Sequence, residues 1–136
     1  MSRRETIVGA VVTALQTITG LTVYREAIGA TARAAGVVAR VRLISDSAQP
    51  RQNKMQDHVL AISVAIVTQG ATPEASADPY CVSVHDKLTA NQNIGGALSV
   101  GFDNATFAVE EADGGSVSVI QSVYLFHYRS DFASLN

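Results

Sequence analysis

The chain is short of several things on which small proteins often depend. It holds one cysteine, Cys81, in 136 residues, so neither an intramolecular disulfide nor a multi-cysteine zinc site can be built from it, and a reducing compartment suits it. Charged residues make up 16% of the chain with a formal net charge of −2, which removes the electrostatic footing for general binding to nucleic acid or anionic lipid. No apolar run approaches the ~20 residues that cross a bilayer. The segment Ile7 to Leu15 is punctuated by Thr6, Gly9 and Thr13 and leads to no cleavage motif of small residues, so the protein is read as soluble and unexported.

Catalytic signatures are missing as well. There is no Gly-x-Ser-x-Gly elbow, no Gly-x-x-x-x-Gly-Lys phosphate loop and no Gly-x-Gly-x-x-Gly after a strand. The histidines His58, His85 and His127 fall on three different predicted elements and show no metal-ligand spacing. Cys81 and His85 share one helical face, but a small cysteine in an apolar stripe is a core residue unless a third group orients the base. Glu110 and Glu111 are adjacent on a strand and therefore point to opposite faces, so with Asp103 and Asp113 they read as a solvated hairpin rim. No catalytic, cofactor or metal site is nominated.

What is present is a foldable pattern. At 47% hydrophobic, the chain is too apolar for intrinsic disorder, and its length suits one domain over 1–136. Ser2 and Glu5 have capping-box spacing, with the Ser2 hydroxyl set to accept from Glu5 and the Glu5 carboxylate to reach back to the Ser2 amide. Behind them Ile7, Val11, Leu15 and Ile18, with Val8 and Val12 alongside, form a helical core stripe that Gly20 ends. A brief strand is expected at Leu21 to Arg25, a loop at Gly29 to Gly36, and a strand at Val37 to Ile44. In that strand Val37, Ala39, Val41 and Leu43 take one face, while Val38, Arg40, Arg42 and Ile44 take the other.

Ser45 to Lys54 has almost nothing apolar and reads as a surface connection longer than a hairpin needs. Met55 to Thr68 is apolar on both alternating sets and reads as a strand buried on both faces. Asp78-Pro79 suggests a helix start, with Cys81, Val84 and Leu88 on its apolar side and Asn91 to Gly96 as its end. Asn104 to Glu111 and Ser116 to Arg129 form a hairpin about Asp113-Gly114-Gly115. Bulky residues occupy both faces of the second arm. The expected fold is α+β: a mixed, mainly antiparallel sheet of four to five strands with two main helices packed on it.

This order of features resembles the phage tail terminator proteins of the minor tail protein U type. The likeness rests on the N-terminal amphipathic helix, Val23-Tyr24-Arg25, the strand Val37 to Ile44, the polar gap and the long strand His58 to Thr68. It continues through the helix Asp78 to Leu88, the turn Ile94-Gly95-Gly96-Ala97-Leu98 and the closing Leu125-Phe126-His127-Tyr128-Arg129-Ser130. The resemblance implies a homo-oligomeric, typically hexameric ring that caps the tail tube, stops its polymerisation and meets the head–tail connector. It implies a virion location after assembly in the host cytoplasm, no reaction, and no grip on the DNA that passes through. The mild acidity of the chain is compatible with that last demand.

Exposure singles out Arg40, Arg42, Asp46, Arg51 and Lys54 as candidates for contact with a neighbouring subunit or with the tube, since arginine is favoured at interfaces. Two other readings compete with the tail terminator. One is a head-completion or connector component; the other is a small-molecule-binding or enzymatic domain with a site built from Tyr24, His58, Tyr124 and His127.

Overall fold

A computed structural model describes residues 2–25, 37–112 and 115–131. Helix α1 spans Arg3–Leu15, and Ser2 caps it: the Glu5 amide donates to Ser2 Oγ at 3.3 Å. The reciprocal half of the expected capping box does not form. Glu5 turns its carboxylate to Arg25, which donates to both oxygens at 2.6 and 2.8 Å and ties the first helical turn to the first strand. A charged fork making two bonds outcompetes a single backbone amide. Ile7, Val8, Val11 and Leu15 are buried as the stripe predicts. The helix stops at Leu15, and the chain turns through Gly20 at a φ of 82° into the sheet.

Strands β1 (Thr22–Arg25), β2 (Val38–Pro50), β3 (Met55–Gly70), β4 (Ser99–Ala112) and β5 (Gly115–Asp131) form one five-stranded sheet in the order β1-β2-β3-β5-β4. β1 is parallel to β2 and every other neighbouring pair is antiparallel. The α+β fold with a mixed, mainly antiparallel sheet is therefore the one expected. Helix α2 (Pro73–Ala90) joins α1 on one face of the sheet. Between helices and sheet lies the main core. Ile7, Val11 and Leu15 meet Ala77, Val84 and Leu88, and both groups rest on Val41, Leu60, Ile62, Val64, Ile66, Ile120, Tyr124, Phe126 and Tyr128. Each Val, Leu, Ile or Phe among them contributes about 1.5–3 kcal/mol by leaving water.

The opposite face carries a small cluster of Val38, Val67 and Val117 with Tyr24 and Val119 against it. Ala61, Ser63 and Ala65 on that face are buried as well. Across the ladder Ala65 lies between Arg40 and Gln121, Ser63 between Arg42 and Val123, and Ala61 between Ser45 and Leu125. β3 is buried on both faces, as its composition indicates. On β5, Tyr124, Phe126 and Tyr128 face the helices and are buried, while Val123 and Leu125 on the other side are only half-buried.

Two expectations are corrected. The polar segment from Ser45 is not a long connection: β2 continues to Pro50, and a tight turn at Gln52–Lys54, with Asn53 and Lys54 both at positive φ, leads straight into β3. Ser45 and the residues from Ser47 to Pro50 are exposed, so this stretch of strand never needed an apolar side. Pro50 is tolerated because β2 has no partner on its outer side there among the described residues. The second helix begins not at Asp78-Pro79 but at Pro73, which takes the first helical position after Thr72, with Pro79 inside the helix. The rule that places proline at a helix start holds; the earlier proline satisfies it. The loop expected at Gly29 to Gly36, and Asp113-Gly114, lie outside the described residues.

Candidate functional site

A β-bulge decides where Asp46 goes. Up to Leu43, β2 pairs with β3 in simple alternation, and Ala39 and Val41 pack into the main core. Ile44 is then an extra residue, pairing resumes at Ser45 opposite Ala61, and the alternation is inverted. Asp46 comes to lie opposite Leu60, on the helix side, and not beside Arg40 and Arg42. Its side chain is only 9% exposed.

There it is the hub of a polar cluster. One carboxylate oxygen lies 2.8 Å from His58 Nδ1, and the other accepts a short hydrogen bond from the Tyr128 hydroxyl. Arg4, from the first turn of α1, approaches at 3.6 Å. The His58 and Tyr128 rings stack with centroids 4.3 Å apart. His58 Nε2 lies 2.8 Å from Ser130 Oγ, which also accepts from the Gln56 side-chain Nε2 at 3.1 Å. Burial, and then the Asp46 carboxylate, push the Tyr128 phenol well above the usual tyrosine range. It therefore keeps its proton and remains a donor.

Ser130, His58 and Asp46 stand in the hydrogen-bond order of a serine-hydrolase relay. The resemblance ends at access. Ser130 is fully buried and His58 nearly so. A hydroxyl that no substrate carbonyl can approach is not a nucleophile, however well its base is oriented. The cluster is a buried, mutually satisfied network that pins α1, β2, β3 and β5 together.

The remaining sequence candidates scatter. Arg42 is exposed, and Arg40 is half-buried with its Nε buried and without a hydrogen-bond partner among the described residues. Arg51 pairs with Asp57 at 3.3 Å, and Arg129 bonds the same carboxylate at 2.8 Å. Those two arginines, the Arg129 hydrogen bond foremost, hold Asp57 below the usual carboxylate range. Lys54 is exposed in the tight turn. The rival small-molecule site does not assemble, because His58 and Tyr124 face the helices whereas Tyr24 and His127 sit on the other face.

A second feature had no signal in the sequence. Between α2 and the β4–β5 hairpin runs a groove with a cavity volume of about 260 Å³, lined by Cys81, Val82, His85, Phe102, Phe107 and Tyr124 and flanked by Asp78 and Asp86. Val82, Phe102 and Phe107 are 52%, 48% and 66% exposed. His85 Nδ1 lies 3.1 Å from the Tyr124 hydroxyl, and Phe102 meets both rings edge-on. Burial pushes the Tyr124 phenol up to about 12 and, with Asp78, raises the Cys81 thiol. A thiol with a raised pKa is a poor nucleophile, and no hydrogen bond joins Cys81 to His85 among the described residues, so the pair is not a catalytic dyad. No group of metal-ligating side chains converges among the described residues.

No protein-family profile and no curated protein matches the chain. Among solved structures, a chain of the virion of a native gene transfer agent particle is 17% identical, with a TM-score of 0.55 over 95% of this chain and 92% of that one. A second solved structure is also 17% identical, with a TM-score of 0.54 over 92% of this chain and 93% of its own. Both show a shared fold along nearly the whole length.

Proposed function

We propose that the protein is a virion structural component, and specifically a tail terminator acting as one domain over 1–136. In this role a homo-oligomeric ring, taken as a hexamer, caps the tail tube, ends its polymerisation and offers the surface on which the head–tail connector docks. The observation that carries the proposal is the match over 95% of the chain to a component of a gene transfer agent virion. It agrees with the order of elements that resembles the terminator family. The chemistry of the molecule supports the same reading: the one Ser-His-Asp arrangement among the described residues is sealed in the core, and the open groove carries apolar side chains and a thiol held protonated. Such a protein works through surfaces. DNA passes through the ring, and a chain of net charge −2 does not hold it.

Of the five interface candidates, Asp46 is committed inside the fold and Arg51 is held by Asp57, which leaves Arg40, Arg42 and Lys54 as cations for a partner. Light scattering with negative-stain electron microscopy tests the proposal. A hollow particle near six times the 14.3 kDa chain mass is expected, and it binds the open end of tail tubes. Charge reversal of Arg40 and Arg42 together abolishes it. Binding to the connector alone would move the protein to a head-completion role. A compact monomer at every concentration, with or without tubes, overturns the ring.

A further inference from the structure

The groove and the β2 bulge complement each other in shape and charge, and they lie toward opposite margins of one sheet. β4, which lines the groove, is the outermost strand on one side. On the other side β1 accompanies β2 only as far as Val41, so from Arg42 onward the outer side of β2 has no strand beside it among the described residues. At that point the bulge puts out Ile44, 50% exposed. Arg42, two residues before it, forms no ion pair among the described residues. The bulge is an apolar knob with one cation, Arg42, near it, and the groove is an apolar hole with Asp78 and Asp86 in its lining.

Single exposed apolar residues are ordinary on a monomer, but several gathered about one cavity mark a contact surface. Two grooves cannot face each other, because Asp78 and Asp86 would meet their own copies; two bulges would likewise oppose arginine to arginine. A knob and a hole on opposite margins of one subunit make a head-to-tail contact, the kind that repeats from copy to copy and closes into a ring when the rotation permits.

Resting on the ring reading above, we propose that the groove's occupant is a second copy of this chain: Ile44 of one subunit seats among Val82, Phe102 and Phe107 of the next, with Arg42 beside Asp86. The bulge thereby has two consequences, turning Asp46 inward and Ile44 outward at a free edge. The conspicuous exposure of Phe107 is then that of an interface residue seen in the isolated subunit.

The test uses the full chain. Ile44→Asp and Phe107→Asp each change a half-exposed or more exposed side chain, so both variants keep the wild-type melting profile at concentrations where the wild type is unassembled, while each weakens assembly on the order of 30-fold, as expected for an interface anchor. Mixed together they form a one-to-one heterodimer and stop there, since one supplies an intact groove and the other an intact knob. Joining Arg42→Glu to Asp86→Arg in one chain restores the assembly that either change alone removes. Cys81 lines the groove and is the only native thiol. Ile44→Cys oxidised with copper–phenanthroline therefore gives a ladder of linked subunits, and Cys81→Ser in the same chain cuts that ladder to dimers at most. Rings that survive Ile44→Asp and Phe107→Asp, or a ladder indifferent to Cys81→Ser, overturn this contact and leave the ring standing. A wild-type monomer under all conditions overturns both.

Discussion

Replacing Asp46 by alanine distinguishes a structural hub from a surface charge. The substitution removes the acceptor for two groups, the Tyr128 hydroxyl and His58 Nδ1, which are 1% and 2% exposed. Each buried polar group left without a partner costs about 1–3 kcal/mol. Arg4, at 3.6 Å and about a third exposed, adds little because water screens it. The expected loss is about 2–5 kcal/mol, a large share of the stability of a domain this size. Tyr128→Phe removes one bond and leaves Asp46 its other partners, so it costs about 1–2 kcal/mol. The double variant then falls short of additivity by an amount that measures the Asp46–Tyr128 bond. Urea denaturation followed by circular dichroism reads all three, at a protein concentration where the wild type is unassembled, because assembly would itself raise apparent stability. With m near ~1–3 kcal/mol/M, the Asp46→Ala midpoint falls by about 1–3 M. A midpoint unchanged within error, together with lost assembly, would refute the network and return Asp46 to the surface role its sequence position suggests.

Two further outcomes follow from particular contacts. Gly95 has a φ of 61°, and a Cβ there would lie 2.6 Å from the Ile7 Cα; Gly95→Ala is expected to cost about 2–4 kcal/mol from left-handed strain and overpacking together. Gly96→Ala, at a φ of 89° with nothing within 4 Å, carries the strain alone at about 1 kcal/mol, so thermal melts showing equal losses would deny the clash. Tyr124 titrates near about 12, above the ~10 of an unfolded tyrosine. Its contribution to stability is therefore complete below pH ~10 and is lost as pH rises from there through about 12. Tyr124→Phe should flatten that decline and remove the step at about 12 from the phenolate absorbance titration; an unaltered titration curve would count against the burial.

Much of the architecture was already determined by the residues themselves. The stripe Ile7, Val11 and Leu15, the double-sided apolar run of β3, and the hairpin of β4 and β5 each form where period and composition place them, because local geometry and burial point the same way there. The start of α2 and the polar half of β2 were not legible. Two prolines competed for one rule, and a strand exposed on both sides leaves no alternation to read. Only the tertiary structure decided the candidate site. One extra residue at Ile44 inverts the alternation, carrying Asp46 to His58 and Tyr128 and leaving Ile44 exposed, and strand order sets that bulge and the Phe107 groove toward opposite margins of the sheet. A bulge is a matter of register between two strands, and the groove belongs to a helix and a hairpin brought together; neither is a property of any single segment.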